Sequence, residues 1–130
     1  MADERSRAAV PRVLVVDDED AVRSVLVRAL ALWGYEVDAA HDGETALAHL
    51  SRSPDEYACV LLDLTMPGIG GEATYRELKQ INANVPVVLM SGYAPEASIE
   101  NLTEHQPAGF LQKPFDLATL REVVRSTLAT

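Results

Sequence analysis

The chain has 130 residues, of which 48% are apolar, and its 20 acidic and 11 basic residues give a formal net charge of −9. This length suits one domain with one hydrophobic core, and the apolar content excludes a disordered chain. The single cysteine, Cys59, excludes a disulfide framework or a cysteine zinc site, and its apolar neighbours predict a small buried residue. Lys and Arg are scattered, which argues against direct binding of nucleic acid.

The sequence gives no sign of membrane insertion or export. No apolar run approaches the roughly 18 residues that a membrane span requires. The first ten residues lack the apolar centre of a signal peptide. We therefore expect a flexible tail over residues 1–10, one domain over residues 11–130, and a cytoplasmic location.

Strand-like and helix-like patterns alternate along the chain. Short β-branched or apolar runs indicate strands, and apolar residues at helical spacing indicate helices. In chain order the predicted elements are a strand at 13–16, a helix at 22–33 closed by Gly34, a strand at 35–39, a helix at 46–50, a strand at 59–62, a helix at 74–81, a strand at 85–90, a polar helix near Ile99 and Leu102, a strand at 109–111 and a helix at 117–128.

This alternation predicts a parallel sheet with helices on both faces. The first, third and fourth strands are apolar throughout, so they belong in the middle of the sheet. The second strand alternates apolar and polar residues and the fifth is short, which places both at the edges. The predicted fold is a single flavodoxin-like (βα)5 domain with strand order 2-1-3-4-5.

Polar residues follow four of the five predicted strands. They are Asp17-Asp18, Asp63, Ser91 and Lys113. The carboxyl ends of parallel strands line one crevice, where ligands bind, so these groups should meet there. Three acids together repel one another, and a hard cation such as Mg²⁺ removes that repulsion. Lys113 and the Ser91 hydroxyl suit phosphate-like oxygens, so the set predicts a phosphoryl site.

Asp63 is the candidate nucleophile of this site. It stands alone at the middle of the sheet and precedes a turn rich in glycine and proline. We expect it to attack phosphorus and form an acyl phosphate, with Mg²⁺ and Lys113 neutralising charge. The chain lacks a P-loop and a GxGxxG turn, which disfavours nucleotide binding. Taken singly, Asp17 or Asp18 would be interpreted as a helix cap, and Ser91 or Lys113 as turn and surface residues.

The same residues resemble the motifs of a response-regulator receiver domain in two-component signalling. The matching stretches are Asp17-Asp18, "LLDLTMPG" around Asp63, "LMSGYA" around Ser91 and "FLQKPF" around Lys113. The resemblance covers about residues 11–129 and implies the (βα)5 fold. It also implies that Asp63 accepts a phosphoryl group from a phosphohistidine on a sensor histidine kinase or a histidine phosphotransfer protein.

The resemblance further assigns roles within the site. It implies Mg²⁺ ligation by Asp18, Asp63 and the backbone carbonyl of Thr65, with Asp17 acting mainly through water. It implies that Ser91 and Lys113 contact the phosphoryl group, and that the peptide bond before Pro114 is cis. The domain would assist its own phosphorylation and dephosphorylation and would not be an enzyme in the ordinary sense.

The resemblance also implies a switch and two interaction surfaces. Ser91 would move on phosphorylation and Phe110 would follow, although edge-strand packing also explains Phe110. The kinase would dock near the first helix and the loop containing Pro114 and Phe115. The fourth predicted helix, the fifth strand and the fifth helix would form the output face for a downstream protein.

Three further points concern context. The chain is either a stand-alone receiver or one excised from a larger protein, and "SGYAPEASI…GFLQKPF" resembles the receivers of hybrid sensor histidine kinases. His41, His49 and His105 lack metal-ligand spacing and are interpreted as surface residues.

Two other functions stay open from the residues alone. One is a silent receiver-like domain that only binds partners. The other is a phosphatase working through an aspartyl phosphate, which usually has a general acid two residues after the nucleophile. Thr65 occupies that position, so turnover should be poor.

Overall fold

A parallel five-stranded sheet forms the centre of the computed structural model, which describes residues 10–66, 68, 70–92 and 106–129. In chain order the elements are β1 Arg12–Val16, α1 Asp20–Leu32, β2 Glu36–Ala40, α2 Gly43–Arg52, β3 Cys59–Asp63, α3 Gly70–Ile81, β4 Val87–Ser91, β5 Gly109–Gln112 and α4 Leu117–Leu128. The strand order is β2-β1-β3-β4-β5, and every pair is parallel. The predicted flavodoxin-like order is confirmed.

Two predicted features fall outside the part of the chain that the structure describes. One is the N-terminal tail over residues 1–10, of which only Val10 is described. The other is the polar helix predicted near Ile99 and Leu102. The nine elements above account for the other predicted strands and helices, and no boundary differs from its prediction by more than four residues.

The sheet separates two layers of core because side chains alternate between the faces of a strand. Leu14, Val60 and Leu89 point to the face covered by α2 and α3, where they meet Leu50 and Leu78. The opposite face carries Val13, Val15, Cys59, Leu61 and Met90, which pack against α1 and α4. Strands β3 and β4 are buried at every position, which is why their sequences are apolar on both faces up to their last residues, Asp63 and Ser91.

Cys59 lies wholly inside the second of these layers, so the prediction of a small buried residue is confirmed. Burial raises the pKa of its thiol to about 12. A thiol held in this state is a poor nucleophile, because the thiolate is the reactive form.

Local signals explain where the helices begin and end. Asp42 and Asp116 precede α2 and α4, and each carboxylate accepts a hydrogen bond of 2.8 Å from the backbone N–H three residues later. Gly34 ends α1 with a φ of 98°, a conformation that favours glycine. No helix in the described ranges is long and apolar enough to cross a membrane.

A polar network fixes the β1–β2 edge of the sheet. Arg12 contacts Glu36 at 2.8 Å and Asp38 at 3.2 Å. The hydroxyl of Tyr57, a residue that is only 6% exposed, donates a hydrogen bond of 2.6 Å to the same Asp38 carboxylate. The Asp38 carboxylate therefore joins a strand residue to the loop before β3.

Replacing Tyr57 by phenylalanine should lower the free energy of unfolding by about 1 to 2 kcal/mol, because the variant loses a hydrogen bond to a partly buried carboxylate. Urea denaturation of both proteins measures the difference. Tyr35→Phe is the matched control, since the half-buried Tyr35 hydroxyl makes no hydrogen bond to any residue that the structure describes. Equal losses in the two variants would contradict this role for Tyr57.

Candidate functional site

The carboxyl ends of four strands bring the predicted polar residues to one edge of the sheet. Asp17 follows β1 directly, Asp63 and Ser91 are the last residues of β3 and β4, and Lys113 follows β5. The side chains of Asp17, Asp63 and Ser91 are at most 1% exposed. The backbone N–H of Lys113 donates a hydrogen bond of 2.7 Å to the Ser91 carbonyl, which extends the pairing of β4 and β5 into the site.

Three acids converge at this edge. One carboxylate oxygen from each of Asp17, Asp18 and Asp63 lies within 4.8 Å of the other two, and Asp18 is the nearest to solvent. Carboxylate oxygens are the ligands that hard divalent cations take in proteins. The donor set therefore fits a cation such as Mg²⁺.

The ammonium of Lys113 contacts two of these acids. Its Nζ lies 2.9 Å from Asp17 Oδ2, 3.2 Å from Asp63 Oδ2 and 3.3 Å from Glu19 Oε1. Burial disfavours the charged form of Lys113, but its hydrogen bond to Asp17 and the charges of Asp63 and Asp17 outweigh burial and raise its pKa. Lys113 is therefore cationic at neutral pH and balances part of the acid charge.

The two buried carboxylates are both held by neighbouring groups. Asp17 Oδ1 accepts a hydrogen bond of 2.9 Å from the Glu19 N–H. Asp63 Oδ1 accepts from the N–H and the hydroxyl of Thr65, at 3.0 and 2.9 Å. Burial raises the pKa of Asp17, and the bonds from Lys113 and Glu19 oppose that rise. Asp18 differs, because its carboxylate has no hydrogen bond or ion pair with any described residue.

The glycines that follow Asp63 are required for different structural reasons. Gly68 and Gly70 have φ values of 80° and 81°, which side chains rarely adopt. Gly71 packs on the backbone before it, because a Cβ at this position would lie 2.3 Å from Leu64 Cα and 2.6 Å from the Asp63 carbonyl oxygen. The turn that leaves Asp63 therefore requires glycine for conformation and for close approach of α3.

The structure excludes the interpretation of Asp17 or Asp18 as a helix cap. The N-cap residue of α1 is Glu19, and its side chain makes no capping hydrogen bond. The acids are therefore available to the site.

Three further contacts were not anticipated from the sequence. Glu19 reaches Lys113, the Thr65 hydroxyl binds Asp63, and Arg23 Nη1 donates to the Asp17 carbonyl at 2.9 Å. The only available signal was that Glu19 continues the run of acids after β1.

The structure also describes most of the other residues that were singled out in the sequence. Phe110 on β5 is half-buried and packs against the core layer beneath α2 and α3. The peptide bond between Lys113 and Pro114 is cis, as the resemblance implied. His41 is exposed, His49 is half-buried, and His105 lies outside the described residues.

An apolar groove of about 530 Å³ borders the acid site. Lys113 and Glu19, which contact each other, both line it. Its other walls are apolar residues of α1 and of the segment after β5, including Val22, Val25, Leu26, Pro114, Phe115 and Leu117. Val25 and Leu117 are 52% and 48% exposed.

A flavodoxin-like sheet of this order, with an acid cluster and a lysine at its carboxyl edge, defines an α/β protein of the receiver type. The chain matches the family described as "Response regulator receiver domain" over residues 13–125 and belongs to that family. It is therefore a receiver module of two-component signalling.

Similar proteins agree with this assignment. Sensor kinase CckA of Brucella abortus is 40% identical over 116 residues, which cover 89% of this chain but only 12% of that protein. A crystal structure of the receiver domain of hybrid histidine kinase CckA is 38% identical, with a TM-score of 0.76, and the match covers 90% of this chain and 98% of that one. The receiver domain of sensor histidine kinase PA1611 from Pseudomonas aeruginosa, solved with magnesium in its active-site cleft, is 25% identical with a TM-score of 0.82, and the match covers 94% of this chain and 100% of that one.

Proposed function

We propose that Asp63 accepts a phosphoryl group from a phosphohistidine on a sensor histidine kinase or a histidine phosphotransfer protein, with Mg²⁺ as the required cation. One observation carries this proposal. The buried Asp63 carboxylate lies 3.2 Å from the Lys113 ammonium and within 4.8 Å of two further carboxylates. A nucleophile, a cation site and the positively charged Lys113 ammonium therefore share one crevice.

Four residues would hold the cation. Asp18, Asp63 and the Thr65 carbonyl would be direct ligands, and Asp17 would act mainly through water. The Asp18 carboxylate has no hydrogen bond or ion pair with a described residue, which supports its direct role. The roles of Asp17, Asp63 and Thr65 follow the resemblance to receiver domains. Magnesium in the cleft of the PA1611 receiver supports the choice of metal. When bound, Mg²⁺ supplies positive charge that offsets the acids and the transferred phosphoryl oxygens.

The transfer itself needs few groups. A carboxylate oxygen of Asp63 attacks phosphorus, the bond from phosphorus to the donor imidazole breaks, and its electron pair goes to the imidazole nitrogen. The Lys113 ammonium then gives up its hydrogen bond to Asp63 and donates to a phosphoryl oxygen, a movement that its flexible side chain permits. The Ser91 hydroxyl donates a hydrogen bond to another phosphoryl oxygen.

The donor would dock on the apolar groove between α1 and the segment after β5. Lys113 lines both this groove and the acid site, so a helix seated there would lie close to Asp63. The exposed side chains of Val25 and Leu117 offer apolar surface to such a partner.

The response to phosphorylation would pass through Ser91 and Phe110. Ser91 pairs with Gln112 across β4 and β5, and Phe110 precedes Gln112 by two residues on the same strand. A shift of the Ser91 hydroxyl toward the phosphoryl group would favour a second position of Phe110. The equilibrium would move only by the difference in free energy between the two states. The output face would include β5 and α4, together with the helix predicted near Ile99 and Leu102.

Intact-mass measurement after incubation with phosphoramidate tests the proposal. We expect the wild-type chain to gain the mass of one phosphoryl group with Mg²⁺ and none after chelation, because the acids would then repel the phosphoryl oxygens. The same protein should not turn over a phosphomonoester, since Thr65 cannot act as a general acid. Metal-independent labelling, or multiple turnover, would contradict the proposed function.

A further inference from the structure

Arg23 makes an unusual pair of contacts on the first turn of α1. Its Nη1 donates a hydrogen bond of 2.9 Å to the carbonyl of Asp17, six residues earlier. Its Nη2 contacts Asp20 Oδ1 at 2.5 Å. The Arg23 side chain is only 21% exposed, so the guanidinium lies against the loop that carries the acids.

These contacts fix the backbone on both sides of Asp18. Arg23 holds the carbonyl of the peptide group before Asp18, and Asp17 Oδ1 holds the N–H of the peptide group after it, on Glu19, at 2.9 Å. Fixing both peptide groups fixes the direction of the Cα–Cβ bond of Asp18, from which its carboxylate extends. No described residue makes a hydrogen bond or ion pair with the Asp18 carboxylate, so the backbone and not a polar partner orients it.

We propose that Arg23 is a positioning residue that directs Asp18 toward the divalent cation; this inference rests on the proposed function. The contact with Asp20, a residue whose side chain is 89% exposed, would contribute little as a surface ion pair. The bond to the Asp17 carbonyl acts on the geometry of the site, because metal sites depend on the groups that orient their ligands.

Whether cation binding weakens or tightens when Arg23 is removed distinguishes a positioning role from a purely electrostatic one. Arg23 is a positive charge close to a cation site, so its charge alone weakens cation binding. Removing Arg23 would therefore tighten binding if charge were its only influence. Weaker binding after its removal requires a geometric role.

Calorimetric titration of the full chain with Mg²⁺ alone tests the proposal. We expect Arg23→Gln to raise the dissociation constant for Mg²⁺ about 10-fold, as loss of a ligand-orienting group does. The dissociation constant of Arg23→Lys should lie between those of the wild type and Arg23→Gln, because one ammonium cannot reproduce both hydrogen bonds of the guanidinium. Arg28→Gln, on an exposed residue of the same helix, removes the same charge and should leave binding unchanged or slightly tighter.

Thermal unfolding without metal checks that each variant is folded. If Arg23→Gln is unfolded, the Mg²⁺ titration of Arg23→Lys tests the proposal instead. Unchanged or tighter binding by the folded Arg23 variants overturns the role of Arg23 and leaves the proposed function standing. A wild-type chain that binds no Mg²⁺ overturns both.

Discussion

Replacing Asp63 by asparagine should lower the rate of phosphoryl uptake from phosphoramidate by at least about a thousandfold, as loss of a nucleophile does in enzymes. The amide is nearly the same size as the carboxylate but is not a nucleophile under these conditions. It also keeps an oxygen that can accept the hydrogen bonds of Thr65. The loss should therefore reflect chemistry and not a collapsed site. Intact-mass spectra over a time course measure it.

A matched control separates the nucleophile from the general loss of an acid. Asp55 is exposed and lies near Arg12 and Tyr57, away from the acid cluster. Asp55→Asn removes the same charge and should label at the wild-type rate. Without Mg²⁺, Asp63→Asn should be at least as stable as the wild type, because one of the mutually repelling acids is gone. Labelling of Asp63→Asn at the wild-type rate would exclude Asp63 as the acceptor.

Gly71→Ala should lower the free energy of unfolding by about 3 kcal/mol, at the upper end of the cost of overpacking. The added methyl would lie 2.3 Å from Leu64 Cα and 2.6 Å from the Asp63 carbonyl oxygen. Both are backbone atoms, so no change of rotamer relieves the overlap. Because the backbone that moves carries Asp63, the labelling rate should fall as well. Urea denaturation measures the first effect and intact mass the second.

Gly92 supplies the control for this substitution. A Cβ at Gly92 meets nothing within 4 Å among the residues described. Gly92→Ala should therefore change the free energy of unfolding by no more than about 0.5 kcal/mol, as an open position allows. Equal stabilities of the two alanine variants would refute the close approach of α3 to the backbone after Asp63.

The strand order was predictable because a strand that is buried on both faces has an uninterrupted apolar sequence. Strands β3 and β4 lie between other strands and under helices on both sides, so every position is apolar or belongs to the site. Strand β2 lies at an edge, and its sequence alternates accordingly. Helix starts were less predictable, because they depend on single caps such as Asp42, whereas Gly34 marked the end of α1 correctly.

The members of the site were predictable for a topological reason. In a parallel sheet, residues that follow different strands meet at one edge whatever their separation in sequence. Lys113 and Asp17 are 96 residues apart and yet 2.9 Å apart in space. Position relative to the strand ends was enough to place them together.

Contacts that depend on side-chain direction were not predictable in this way. From sequence, a lysine on a helix such as Lys79 would be placed at the surface. Lys79 is only 7% exposed, and its ammonium donates a hydrogen bond of 2.6 Å to the Val85 carbonyl. Burial lowers its pKa. Arg23 is similar, since one turn of helix offers several directions and only one reaches the Asp17 carbonyl.

Locating the phosphorylated residue tests the central proposal most directly. The wild-type chain, labelled with phosphoramidate and Mg²⁺, is reduced with borohydride, which converts an aspartyl phosphate to homoserine, and is then sequenced by tandem mass spectrometry. We predict homoserine at position 63 and unmodified aspartate at positions 17 and 18. Homoserine at another position, or an unlabelled chain under saturating donor and metal, would contradict the assignment of Asp63 as the phosphoryl acceptor.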